Sequence, residues 1–311
     1  MKKVICLICA LLVISGCSKS NDKPNPTASP NEIEKPAELV FENQGELVDD
    51  WSNTYRVMAH AMGGIDNFDY TNSLEAMIFN YNQGTRLFEI DLERTSDGDI
   101  CLTHTWVDFK TKLTSIGGDE YAPLSTEEFK NAKIMGKYTT MMFSDLLSIM
   151  QEVKDFYIIL DSKTFDVDST NSMYSQLVGQ INEVDPSLLH RFIPQAYTPE
   201  IYDVIESYGF EEIIFTLYHY YVDSDGQKIY QIVKEKNIPV VVMHMDNEWG
   251  TKVITDVYAY AKMDNNLDQF NIYIHTVNDI NKAREIINEY GFYGVYSDFI
   301  TEQDTNNIVL N

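Results

Sequence analysis

Eight short apolar runs of strand length recur along the chain, at 57–60, 87–92, 157–161, 192–195, 213–217, 240–244, 272–276 and 294–298. Longer amphipathic stretches lie between most of them, at 73–82, 169–182, 199–208, 227–236, 251–262 and 278–290. Near-continuous apolar strands alternating with helices imply a parallel sheet buried on both faces. Eight such units within about 250 residues match an α/β chain folded as a (β/α)8 TIM barrel better than an open doubly wound sheet. One further run, 100–104, follows Leu92 after the pair Asp97-Gly98. Asp-Gly between apolar runs is a hairpin turn, and no crossover helix fits there. An antiparallel return strand above the barrel, after strand 2, is therefore expected. Residues 105–155 are too long for a plain loop. The helix-like pieces at 125–132 and 144–154 predict a small helical insertion near the barrel mouth.

The first residues read Met1-Lys2-Lys3, then an apolar run from Val4 to Ile14, then Ser15-Gly16-Cys17. That is a charged start, an apolar stretch too short to span a bilayer, and small residues before a cysteine. Ile14-Ser15-Gly16-Cys17 resembles a bacterial lipobox, which implies export, cleavage after residue 16 and a lipid on Cys17. The expected organisation is a signal peptide over 1–16, a lipidated and flexible tether over 17–45, and the barrel over 46–311. Residues 18–36 are rich in Ser, Asn, Lys, Pro, Thr and Glu, as a tether requires. The expected location is thus the outer side of a bacterial cell membrane. Cys101 is then the one remaining free thiol, so no intrachain disulfide is available.

Asp and Glu number 48 against 23 Lys and Arg, a net charge of −25. Such a surface repels phosphate backbones, which excludes nucleic acid as a partner. A small anionic substrate needs a local device such as a bound cation. Nothing in the sequence points to a protein partner.

Polar residues recur where the apolar runs end, and in a (β/α)8 barrel those ends form the active face. Glu89-Ile90-Asp91 has strand period, so both carboxylates point to one side. Two inward carboxylates are costly unless they share a cation or protons. With Asp161 from another strand they form a hard oxygen site suited to Ca²⁺ or Mg²⁺. His60 and His104 close runs that bracket the pair, and two imidazoles beside a held phosphate can serve as general base and general acid. Lys163 offers a positive charge for phosphate. Trp106, Gln195, His219 and His275 stand at run ends as candidate substrate-lining residues. Aromatic faces such as Trp106 and the group Tyr218-His219-Tyr220-Tyr221 can stack sugars, cyclitols or quaternary ammonium groups.

The ordered set His60-Ala61-Met62-Gly63-Gly64, Asn72-Ser73-Leu74-Glu75-Ala76, Gly84, Glu89-Ile90-Asp91, Thr95-Ser96-Asp97-Gly98 and His104 resembles the N-terminal signature of glycerophosphodiester phosphodiesterases. The likeness continues through Asp161-Ser162-Lys163, His275-Thr276-Val277-Asn278 and Ser297-Asp298, spanning about residues 55–300. The wider superfamily includes phosphatidylinositol-specific phospholipases C and venom phospholipases D. The resemblance implies a (β/α)8 barrel and cleavage of glycerol-phosphate esters of small alcohols. It implies a divalent metal on Glu89, Asp91 and Asp161, with His60 and His104 moving protons. Attack by water or by the glycerol 2-hydroxyl is open at this stage. The chain departs from the family at four places. Ala61 stands where the family has arginine, Asp161 where it has glutamate, Thr105 where it has aspartate and His275 where it has tryptophan. These departures leave two other outcomes in view: phospholipase C- or D-like cleavage of intact lipid, and a catalytically weakened barrel that binds a phosphorylated ligand.

Overall fold

The computed structural model describes residues 40–217 and 225–308. The expected signal, Cys17, most of the tether and the group around His219 lie outside them. In chain order the elements are α1 (Trp51–Thr54), β1 (Val57–Ala59), α2 (Leu74–Asn82), β2 (Leu87–Arg94) and β3 (Ile100–Leu102). Then come α3 (Trp106–Asp108), α4 (Thr126–Asn131), β4 (Lys133–Ile134), β5 (Tyr138–Thr139), α5 (Phe143–Glu152) and β6 (Tyr157–Asp161). The second half is α6 (Val167–Val184), β7 (Phe192–Ala196), α7 (Pro199–Glu206), β8 (Ile214–Thr216), α8 (Gly226–Lys236), β9 (Val240–Met243), α9 (Glu248–Met263), β10 (Asn271–Ile274), α10 (Ile280–Glu285), β11 (Gly294–Ser297) and α11 (Thr305–Ile308). The strands β1, β2, β6, β7, β8, β9, β10 and β11 pair in parallel and close through β1–β2 and β1–β11. The protein is a (β/α)8 barrel. No helix among the described residues is long and apolar enough to cross a membrane.

Strand period two sorts the side chains. One set packs together inside the barrel: Met58, Leu87, Ile159, Ile193, Ile214, Val240, Val242, Tyr273 and Tyr296. Trp51 of α1 joins that set from one end of the barrel. Their strand neighbours, such as Val57, Phe88, Ile90, Ile158 and Val241, face the helices in the larger core. The helices supply matching apolar stripes, as in α6, where Met173, Leu177 and Ile181 recur every four residues. Stepping two residues onward from the inner apolar set reaches His60, Glu89, Asp161, Gln195, Thr216, His244, His275 and Asp298. The alternation that fills the barrel thus also assembles the polar layer at its C-terminal end.

The hairpin after strand 2 forms as expected. β3 runs antiparallel to β2, with Leu92 opposite Leu102 and Arg94 opposite Ile100. Gly98 sits in its turn at φ 90°, a conformation glycine adopts without strain. The insertion is shorter than 105–155. Trp106, Phe109, Leu113, Phe129 and Ile134 form a satellite core with Cys101. α5, by contrast, packs Phe143, Leu146, Leu147 and Met150 into the main core. Its apolar face makes α5 the crossover helix leading to β6, so the insertion ends before it.

Candidate active site

Glu89, Asp91 and Asp161 are all buried, and one oxygen from each lies within 4.8 Å of the others. Register creates this meeting, since Asp91 pairs directly with Asp161 across β2 and β6. Glu89 accepts a hydrogen bond of 2.6 Å from the Ala61 backbone N–H. Asn72 donates its side-chain amide to Asp91 at 2.8 Å and accepts the Asp91 N–H at 3.1 Å. The Tyr197 hydroxyl donates to Asp161. Lys163, in a left-handed turn at φ 49°, folds back so that its Nζ lies 2.5 Å from Asp161 and 2.8 Å from Asp91.

Burial, reinforced by the Asp91 charge, holds the Glu89 carboxyl well above the usual range. Burial also opposes charge on Asp91, but Lys163, His104 and His60 outweigh it and hold that group low. Crowding three buried carboxyl groups together favours a proton on Glu89, and a bound cation would relieve the same crowding. The donor set is all oxygen and suits a hard divalent ion, so these residues fit the metal the sequence implies.

Two imidazoles stand over the acids. His60 is 3% exposed, and its Nδ1 lies 2.8 Å from Asp298. Asp298 is fixed in turn by Asn278, which donates to it at 2.6 Å. His104 is half-buried, with Nδ1 2.5 Å from Asp108 one helical turn onward. In both rings Nδ1 donates to the carboxylate, which leaves Nε2 as the atom that exchanges a proton with a ligand. Burial disfavours the imidazolium of His60, yet Asp298, Glu89 and Asp91 raise its pKa to about 9. The Tyr70 ring lies edge-on between the two imidazoles, 4.6 Å from His60 and 4.8 Å from His104. His275 packs 4.7 Å from His60 and 5.0 Å from His244. Burial, then the positive fields of His60 and His244, hold His275 far below its ordinary pKa and therefore neutral.

These groups share a cavity of about 410 Å³ lined by His60, Asp91, His104, Asp161, Lys163 and His275, with Tyr70, His244, Asp246, Asn247 and Trp249 completing its wall. Among the described residues, Lys163 is the one lining residue with a fixed positive charge.

Two candidate lining residues belong elsewhere. Trp106 is 5% exposed and packs on Phe109 and Phe129, donating its indole N–H to the Arg94 carbonyl. It is a core residue of the insertion, because Phe109, just after α3, and Phe129 of α4 pack against its ring. Gln195 points into the barrel, but its side-chain carbonyl accepts the Thr216 hydroxyl at 2.7 Å and it does not line the cavity. Tyr70, Asp108, Asp246 and Trp249 escaped the sequence reading. Asp108 alone left a usable signal there, a carboxylate four residues after a histidine just beyond the Thr105 helix cap.

No family model and no curated protein matches the chain. Solved structures do. A glycerophosphodiester phosphodiesterase from Parabacteroides distasonis is 16% identical, with a TM-score of 0.59 over 81% of this chain and 96% of that one. A glycerophosphoryl diester phosphodiesterase from the same organism is 15% identical, with a TM-score of 0.59 over 84% of this chain and 89% of that one. The glycerophosphodiester phosphodiesterase of Thermotoga maritima is 17% identical, with a TM-score of 0.53 over 78% of this chain and 94% of that one. At such identities the likeness is one of fold.

Proposed function

We propose that the protein is a metal-dependent phosphoric diester hydrolase of the glycerophosphodiester phosphodiesterase kind, anchored at a bacterial cell surface. One observation carries the reading. Three buried carboxylates from two strands meet, and two of them, Asp91 and Asp161, line one cavity with two imidazoles that are each backed by a further carboxylate. Glu89, Asp91 and Asp161 would hold Ca²⁺ or Mg²⁺, which offsets phosphate charge and draws electron density from phosphorus. The Lys163 ammonium lies against Asp91 and Asp161, where it can meet a phosphate oxygen. One imidazole Nε2 accepts the proton of the attacking hydroxyl or water as the new P–O bond forms. The other gives its proton to the departing alkoxide as the old P–O bond breaks. Asp298 and Asp108 fix the ring orientations through both transfers.

The test is turnover of deacylated glycerophosphodiesters with added Ca²⁺ or Mg²⁺, before and after chelation. The expected result is release of the alcohol, lost with chelator and restored by metal. No product from any diester, with measurable binding, would point instead to the weakened binding barrel that Ala61 suggests. Preference for intact phospholipid would favour the phospholipase-type reaction. The cell-surface part rests on the run from Lys2 to Cys17. Expressed in a bacterium, the Cys17→Ser protein is expected to leave the membrane pellet for the soluble fraction. Retention in the pellet would remove the lipid anchor from the reading.

A further inference from the structure

A cleft of about 370 Å³ opens between α2 and the segment that leads from β11 to α11. It shares no described lining residue with the catalytic cavity. Two exposed aromatic rings stand in it, Phe79 at 48% and Phe299 at 43% exposure. α2 accounts for the first. Leu74, Met77, Ile78 and Tyr81 face the core, which puts Phe79 on the outer side with Gln83 one turn further on. The backbone fixes the second. The N–H groups of Phe299 and Ile300 donate to Ser297 Oγ at 3.2 and 2.9 Å. The Phe299 ring then lies against Gly64, where a β-carbon would fall 2.2 Å from it, so only glycine admits the ring. Buried Asn80 donates its side-chain amide to the Met62 and Gly64 carbonyls at 3.1 Å and holds that support in place.

The polar lining is chiefly amide. Asn67, Gln83 and Gln303 each bring a donor and an acceptor to the cleft. Its two carboxylates are engaged: Asp66 accepts from Lys137 Nζ at 2.6 Å and from the Tyr138 hydroxyl at 2.7 Å, and Asp304 accepts the Thr301 N–H and hydroxyl at 2.9 Å. Among the described residues, no lysine, arginine or histidine lines the cleft. An anion would therefore meet two carboxylates and no cation. A cation would find both carboxylates already committed. A wholly apolar ligand would bury the amides unpaired. The remaining complement is an uncharged molecule with hydroxyls at its edge and a C–H face for the rings. We propose that this cleft is a second binding site, for the ring of a neutral sugar, with Phe79 and Phe299 against its C–H surface and the amides on its hydroxyls. The site goes beyond the hydrolase reading and does not depend on it. It gives the protein a hold on a glycan that leaves the catalytic cavity uncovered.

The test is saturation-transfer NMR and calorimetric titration of the full-length protein with glucose, galactose, N-acetylglucosamine, maltose and cellobiose. At least one is expected to bind with a Kd on the order of 1 mM. Phe79→Ala and Phe299→Ala are each expected to weaken that binding by about tenfold or more. Phe79→Ala should leave the urea midpoint and diester turnover unchanged, since its ring lies on the outer side of α2. Gln83→Ala, at a half-buried position, carries the test if Phe299→Ala fails to fold. Binding of none of the five sugars, or binding unmoved in Phe79→Ala and Gln83→Ala, would overturn the site whatever becomes of the hydrolase. Attachment to phosphatidylcholine vesicles that Phe79→Ala abolishes, with no sugar bound, would overturn it too and assign the rings to a lipid surface.

Discussion

Replacing His60 or His104 with alanine is expected to lower kcat for glycerophosphodiester cleavage by about 10² to 10⁴, the range for losing a general acid or base. Each ring is held at Nδ1 by a carboxylate and lines the same cavity, so neither loss can be covered by the other. The two variants should separate when the natural alcohol is replaced by p-nitrophenol. A leaving group that departs as a stable anion needs no proton, so the variant lacking the general acid should recover most of its rate. The variant lacking the base should stay slow. Combining both substitutions should cost less than the product of the two, because the residues act in one concerted transfer. Unchanged kcat in either single variant would remove that histidine from the mechanism.

Asp298→Asn should change how the metal-free protein responds to pH. His60 has a pKa raised to about 9 in the folded chain, against 6.5 ordinarily. A group whose folded pKa is raised contributes stability fully present below its unfolded pKa and lost as pH rises through the folded value. For His60 that window runs from about pH 6.5 to about 9. With about 1.4 kcal/mol per pKa unit, the loss across it is on the order of 3 kcal/mol. Glu89, also raised, loses its own contribution over a lower range that overlaps this one. The readout is therefore the difference between the native protein and Asp298→Asn in urea unfolding at several pH values, with chelator present. The variant should show a flatter decline above pH 6.5 and a lower imidazole pKa by NMR. Parallel pH curves would mean that Asp298 does not hold the imidazolium.

The barrel was legible because parallel strands buried on both faces read as apolar runs, and the structure shifts their ends by only a residue or two. β6, for instance, spans Tyr157–Asp161 as expected, whereas β10 stops at Ile274, ahead of the predicted end. The acids were legible because Glu89-Ile90-Asp91 fixes two side chains on one face through strand period alone. What the sequence concealed depends on contacts between distant segments. Trp106 follows a site histidine, but its environment is decided by Phe109 and Phe129 packing over it. Gln195 does face inward, yet Thr216 from the next strand occupies its carbonyl. Tyr70 reaches the histidines from a loop where it adopts φ 55°, which no periodicity announces. The boundary of the insertion was misplaced because α5 and α4 are both short amphipathic stretches. Only tertiary packing separates the crossover helix from the satellite core.

The barrel is not joined equally all the way round. β2 and β6 share a register from Leu87–Tyr157 to Asp91–Asp161, whereas β1 and β2 meet in the single pair Ala59–Phe88. Just beyond that pair, Ala61 N–H reaches across to Glu89, and Asn72 reaches across to Asp91. The acids proposed to seat the cation are therefore also the clasp that shuts the cylinder at its loosest joint. Chemistry and closure share atoms there, so stripping the ion or neutralising either acid slackens the joint as well as silencing the site. A loss of rate at Glu89 or Asp91 has to be read together with the integrity of the wall those residues fasten.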